Sequence, residues 1–343
     1  MSGGKRAIAA SVAAVIASAA ALAADRRIGI VGIDTSHVVE FSKILNGTNP
    51  APEFAGYRVG KVCRWGSRDI VSCTNRHGTY TAELATLGVR VSEDLGEVLA
   101  DSDCVFLETN DGRERLRQSV EVFRSGKRAF IDKPLAHDLP DVIRILEAAR
   151  RHGASFFTSS STRFEPEVQA ARHGDYGPIR GCDTVTNTTR EPHHSRYYWY
   201  AMHGVESLVA VMGPDVESVR AVGNETEDVL VGTWRDGRIG TVRALDFSRP
   251  GRCSGGTIYP AKDGSRIVFG GVWRGYGMLL DPVLRFLESG VAPVDPEETL
   301  AIYAFCTAAE QSLSRGGAEV RIADVLAAAR SEAARRDREE AAR

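Results

Sequence analysis

The chain of 343 residues has no surplus of charge of either sign: 43 Lys and Arg stand against 45 Asp and Glu, leaving a formal net charge of −2. Nucleic-acid binding modules usually show a basic excess, so that class of partner is excluded. Beyond the first 23 residues there is also no apolar run of the roughly 20 residues that a membrane-crossing helix needs. The six cysteines, at 63, 73, 104, 182, 253 and 306, include no C-x-x-C pair. The common zinc and dithiol motifs are therefore absent, and the cysteines are too sparse for a disulfide framework. Cys104 and Cys306 lie in apolar runs and read as buried thiols, while a Cys63–Cys73 bridge stays open for an exported protein. What remains is an ordinary globular composition, 43% apolar and 26% charged, with length for about two domains.

The amino end has a pattern of its own. Lys5 and Arg6 precede an uncharged, Ala-rich stretch over 7–23 that ends in Ala21-Leu22-Ala23, and Asp25, Arg26 and Arg27 follow. A charged start, a short apolar core and a small-x-small end are the marks of a secretory signal peptide. The expectation is export to the periplasm or medium, with no stable membrane span after cleavage. A mis-called start, and hence a cytoplasmic protein, is the alternative.

Strand-like apolar runs at 27–33, 57–63, 89–91, 103–107, 128–131 and 155–158 alternate with helical patterns at 38–45, 79–87, 94–100, 116–125 and 139–152. That rhythm predicts an α/β fold with a doubly wound parallel sheet. Beyond Thr162 strands follow one another without helices, at 216–222, 228–234, 238–247 and 266–269, which predicts a second, mostly antiparallel sheet. Helices are expected at 282–289, 296–314 and 322–343.

Three constellations carry chemistry. In the first, Gly29 and Gly32 end a strand, and Asp34, Thr35, Ser36 and His37 open a helix. A diphosphate can sit on backbone N–H groups at such a turn. However, Asp34 and His37 stand at the later glycine positions of G-x-G-x-x-G, and a capped strand–helix turn explains the pattern equally well. In the second, the end of the next strand offers Arg64 and Arg68 where an acidic residue would meet a ribose, which leans toward NADP over NAD. Both arginines also read as solvated loop residues. The third is Asp132-Lys133-Pro134 at a buried strand end.

With Gly126-Lys127 before it, this last segment resembles the Gfo/Idh/MocA oxidoreductases, the glucose-fructose oxidoreductase and inositol dehydrogenase group, which carry Glu-Lys-Pro there. The resemblance continues through Arg163-Phe164 and the Gly177-Pro178 turn to Tyr200-Ala201-Met202-His203-Gly204-Val205-Glu206. That stretch is similar to the family's Asp-x-Gly-x-His-x-x-Asp, with Trp199 at the first aspartate and Glu206 at the last. The segment 108–113 departs from the family's Thr-Pro-Asn-x-x-His.

The resemblance implies a Rossmann-like NAD(P)-binding domain over 25–158, followed by an α+β domain over 159–320 with an open sheet for substrate binding and oligomerisation. A charged helix closes the chain at 321–343. It implies NAD or NADP as cofactor, held by Gly29, Gly32, Asp34, Thr35, Ser36, His37, Arg64, Thr109, Asn110 and Lys133. By the same resemblance Lys133 polarises a substrate oxygen, His203 is the general base, and Arg163 and Tyr200 meet the substrate. On a helix, His203 and Glu206 share a face, so Glu206 is expected to orient the imidazole. The expected ligand is a sugar, sugar acid or cyclitol, with no metal and no nucleic acid, and the protein is expected to be a possible homo-oligomer. Two other functions stay open: redox-neutral glycoside cleavage, elimination or epimerisation with a recycled cofactor, and a non-catalytic sugar-binding module.

Overall fold

The structure is a computed structural model that describes residues 25–246, 254–262 and 264–342. The expected signal peptide at 1–23, the end of the strand expected over 238–247, and Cys253 lie outside the described residues. The first half alternates as its pattern dictates: β1 (Arg26–Val31), α1 (Ser36–Asn46), β2 (Tyr57–Cys63), α2 (Val71–Thr74), α3 (His77–Thr86), β3 (Arg90–Ser92), α4 (Leu95–Ala100), β4 (Cys104–Leu107), α5 (Arg115–Arg124), β5 (Ala129–Asp132), α6 (Leu139–His152) and β6 (Phe156–Ser159). All six strands are parallel, in the order β3-β2-β1-β4-β5-β6. Strands β4 and β5 are buried along their whole length, which is why β4 reads as an unbroken apolar run and β5 is apolar up to Asp132. The chain reverses its direction of travel across the sheet between β1 and β4. Sheets of this kind bind ligands at that switch point, beyond the carboxyl ends of the strands.

Local signals set the boundaries. Asp138 caps α6 by accepting from the Asp141 amide, Pro140 lies in its first turn, and Gly153 ends it in the left-handed region. Gly32 has φ +107°, and a Cβ there would lie 2.3 Å from the Thr109 amide nitrogen. Only glycine lets the first βα turn pass so close to the end of β4.

The second half contributes α7 (Pro166–His173), β7 (Ile179–Asn187), α8 (Met202–Met212), β8 (Val216–Gly223), β9 (Glu227–Trp234), β10 (Ile239–Leu245), β11 (Gly255–Pro260), β12 (Ile267–Gly270), α9 (Gly277–Ser289), α10 (Pro296–Ser314), β13 (Val320–Arg321) and α11 (Ile322–Ala341). Its sheet runs β12-β11-β7-β10-β9-β8-β13. Every pairing is antiparallel except β7 with β10. Helices α8 and α10 pack on one face of it. Helix α11 returns to α6, where Arg144 meets Asp337 (2.6 Å) and Arg336 meets Asp138 (2.7 Å). Cys63 and Cys73 are both buried free thiols, so no bridge joins them; burial pushes the Cys73 thiol up to about 12.

Candidate active site

Where the carboxyl ends of β1 and β5 face the second sheet, a cavity of about 680 Å³ opens. Ser36, His37 and Lys133 line it from the first half of the chain, and Tyr200 and His203 from the second. Glu165, Trp273 and Tyr276 also line it, and no sequence motif pointed to these three. Lys133 follows Asp132 at the end of β5; its ammonium donates to the Trp199 carbonyl (3.2 Å) and lies 4.8 Å from the centre of the Tyr200 ring. The rings of Tyr200 and His203 are 5.9 Å apart, so one aromatic ring bridges the ammonium and the imidazole.

A chain of hydroxyls leads to the His203 imidazole. Thr162 Oγ1 donates to the His203 carbonyl (3.0 Å) and lies 2.9 Å from Ser160 Oγ, which lies 2.5 Å from His203 Nδ1. In the arrangement where Thr162 gives its proton to the carbonyl and Ser160 gives its own to Thr162 Oγ1, Nδ1 carries a proton toward Ser160 and the Nε2 lone pair is free. Burial, reinforced by the Lys133 charge, holds His203 well below the ordinary 6.5. The result is a neutral imidazole that can accept a proton.

The contact expected between Glu206 and His203 is replaced by an indirect one. The Glu206 carboxylate accepts from the Ser160 amide (2.8 Å), the Ser159 hydroxyl and Arg163 Nε (2.9 Å). It therefore holds the loop that holds His203. Arg163 is also displaced from its expected place against the substrate: it is fully buried, between Glu206 and Glu298 (2.6 Å). Its position after β6 turns the guanidinium inward to meet the buried Glu206 carboxylate and Glu298, which Arg172 also pairs with.

The dinucleotide turn departs most from expectation. Asp34 is fully buried, and its carboxylate accepts from the amides of Ser67 (2.8 Å) and Asn110 (2.7 Å). Burial raises its pKa, and the two amides oppose the rise. Asp34 thus ties the loop after β2 to the loop after β4, across the end of β1. Arg113 adds a second tie by reaching Asp69 and Asp111, and Arg76 donates to the Asp34 carbonyl (2.8 Å). Gly66 completes the closure, because a Cβ there would lie 2.8 Å from Asp34 Oδ2. Asp34→Ala would orphan two amides, and a loss of about 2 kcal/mol or more in urea unfolding is expected.

The other expected cofactor residues are scattered. Gly29 packs against Ser102. Thr35 donates to Glu108 (3.3 Å), and Thr109 donates to the Trp65 carbonyl (3.0 Å). Arg64 pairs with Glu93 (2.8 Å) beside a separate groove that Arg68, His77 and Arg117 also line.

His37 stands at the third glycine position of the turn and faces the cavity instead of leaving room for a phosphate. Its Nδ1 lies 2.8 Å from Asp132 Oδ2 and 3.7 Å from Glu108, and its ring stacks on Phe41. Burial alone would lower its pKa, but the Asp132 charge and contact outweigh that, with Glu108 adding to them, and push it up to about 10. Asp132 is lowered in turn: the charge of His37, helped by Lys133 and Arg115, overcomes burial. Burial and the charge of Asp132 together raise Glu108.

These three side chains place ligand atoms within 4.8 Å of one another, a spacing a cation could use. The positive charge already comes from His37, Lys133 and the buried Arg115. A pH signature follows. A base whose folded pKa is raised stabilises fully below its unfolded value and loses that contribution as pH climbs through the folded one. The urea midpoint should therefore fall between pH 6.5 and 10, and less steeply in His37→Gln. Equal slopes would show that His37 is not held as a cation.

His193 and His194 have partners of their own. His193 pairs with Glu191 (2.6 Å), and His194 Nε2 accepts from the Gly112 amide (2.8 Å).

No protein-family model matches the chain, and no curated protein does. Solved structures do match. A probable dehydrogenase from Thermotoga maritima aligns over 87% of this chain and 99% of its own, with a TM-score of 0.69 and 18% identity. The scyllo-inositol dehydrogenase of Lactobacillus casei, solved with NAD(H) and scyllo-inositol, aligns over 88% of this chain and 100% of its own (TM-score 0.66, 15% identity). An Agrobacterium radiobacter oxidoreductase, solved with NAD+, L-tartaric acid and magnesium, aligns over 88% and 100% (TM-score 0.68, 14% identity). The resemblance read from the sequence therefore holds at the level of the fold.

Proposed function

We propose that the chain is a nicotinamide-dependent oxidoreductase that oxidises or reduces a hydroxyl or keto group of a sugar, sugar acid or cyclitol. The observation that carries this reading is the convergence of a neutral imidazole, His203, and an ammonium, Lys133, on one cavity at the carboxyl ends of the parallel strands. The fold is one on which relatives hold NAD together with polyols or hydroxy acids.

The fit to a dinucleotide differs along its length. The cavity has room for a nicotinamide and a small polyol, with Lys133, His37 and Ser36 on its wall. The amino end of α1 also has no side-chain cap and no acidic residue in its first turn, as an incoming anion requires. The middle of the path is narrower, because Asp34 occupies the position where glycine lets the backbone approach the diphosphate. Arg64 and Arg68 beyond it would meet the adenosine end.

When bound, the nicotinamide supplies the hydride acceptor or donor. The chain's own residues do the rest. His203 Nε2 takes the hydroxyl proton, and Lys133 donates to the same oxygen as negative charge develops on it. Glu206 acts as a positioning residue through Ser160. Tyr200, Trp273 and Tyr276 give flat apolar surface for a sugar ring.

The direct test is mass spectrometry of small molecules released on denaturing the purified protein, together with titration of NAD and NADP. Asp34→Gly should bind the dinucleotide more tightly than the parent. Failure of both nucleotides to bind either form would sink the reading.

The amino-terminal export pattern favours a second reading, in which the cofactor is retained and recycled through a redox-neutral reaction, because free nicotinamide cofactors are scarce outside the cytoplasm. Released nucleotide without net reduction on turnover would distinguish it. Export is part of the proposal, on the strength of the amino-terminal pattern. Cleavage after Ala23, read by amino-terminal sequencing of the secreted form, tests it.

A further inference from the structure

The cavity contains a second histidine that a simple dehydrogenase does not need. His37 comes from the first helix of the parallel sheet, and His203 from the helix packed on the second sheet, so the two imidazoles stand on walls built by different halves of the chain. Lys133 links them: Asp132, which precedes it, holds His37, and Tyr200, which covers its ammonium, touches His203. Their partners are of opposite kinds. His37 is held by a buried carboxylate and His203 by a serine hydroxyl at the end of a hydroxyl chain.

We propose that this is an acid–base pair, and that the protein inverts the carbon next to the carbonyl of a keto-sugar or keto-cyclitol, with His203 removing its proton on one side and His37 delivering a proton on the other.

The step balances without an oxidant. The C–H bond breaks, its proton passes to His203 Nε2, and the electron pair moves onto the carbonyl oxygen as an enolate facing the Lys133 ammonium. A new C–H bond then forms with the proton of His37. Both histidines reset by exchange with water. Environments that push the two pKa values apart give one group its proton to donate and the other its lone pair. The charged groups bearing on the pair are Asp132, Glu108, Arg115 and Lys133. The ketone can be supplied ready-made, so this activity stands apart from hydride transfer. In a reaction sequence it would act on the product of a polyol oxidation.

The test uses the full chain in D2O with 2-keto-myo-inositol and 3-keto-D-glucose, followed by proton NMR. The wild type is expected to convert one epimer into the other with deuterium at the inverted carbon. His37→Gln should still exchange the proton that faces His203 but interconvert the epimers at least 100-fold more slowly, whereas His203→Gln, which keeps only the protonated His37, should lose both exchange and interconversion. Absence of exchange with both ketones, interconversion at the wild-type rate in His37→Gln, or an unsaturated elimination product would overturn the proposal. NADH consumption with the same ketones is read separately. Consumption without exchange removes this inference alone, and exchange without consumption removes the oxidoreductase reading alone.

Discussion

His203→Ala is expected to lower kcat for alcohol oxidation by about 10²- to 10⁴-fold, the range over which a positioned base contributes, while nicotinamide nucleotide affinity stays near that of the parent. The separation follows from geometry. His203 lines the cavity beside Tyr200 and Lys133, away from the turn around Asp34 and from the groove beside Arg64. Ser160 Oγ contacts Nδ1, the ring nitrogen other than Nε2, and burial with the Lys133 charge keeps the ring neutral. The base is therefore already unprotonated at neutral pH. Oxidation should show no loss around pH 6.5, where an ordinary histidine would begin to be protonated, and should decline only in more acid solution. Ser160→Ala removes the hydroxyl that contacts Nδ1 and should reduce kcat less than loss of the ring itself. Undiminished turnover in His203→Ala, or an activity that halves near pH 6.5, would remove His203 from the role of base.

The architecture was legible because burial in a doubly covered parallel sheet leaves a plain trace. Residues 104–107 and 129–131 are apolar at every position, and the helices between such runs are amphipathic. The second sheet was read less completely. Strand β11 begins Gly255-Gly256 and ends at Pro260, residues with low strand propensity whose pairing is imposed by β7 and β12. Lys133 and His203, which both line the cavity, stood out in the sequence because each lies in a local motif.

Asp34, Arg163 and Glu206 show the limit of such reading. Each is an ionisable residue turned inward, and its partners lie 33 to 135 positions away in the chain. Periodicity does not report contacts of that kind. The three-residue spacing of His203 and Glu206 correctly put both on one helix, but it could not say that Ser159, Ser160 and Arg163 would claim the carboxylate first.

Arg163→Ala is expected to give the largest loss of stability, about 3–5 kcal/mol in urea unfolding, the range found when one partner of a buried ion pair is removed. Arg163 has no exposed surface, and its guanidinium faces Glu206 at 2.9 Å and Glu298 at 2.6 Å. Burial raises the Glu206 pKa, and Arg163 is the strongest influence opposing the rise. Without the guanidinium, the carboxylate must take up a proton or stay charged without a partner, and either outcome disfavours the folded state. Glu298 keeps Arg172 at 3.0 Å, so the damage concentrates on Glu206 and the loop it holds. Arg163→Ala should therefore slow turnover as well, because the Ser160 amide loses a fixed acceptor and the imidazole loses its orientation. Removing both charges tests this account. A double variant, Arg163→Met with Glu206→Gln, leaves no uncompensated ion and should recover much of the lost stability. If the double variant is as unstable as Arg163→Ala alone, the cost lies in lost packing around the arginine stem and not in a stranded charge.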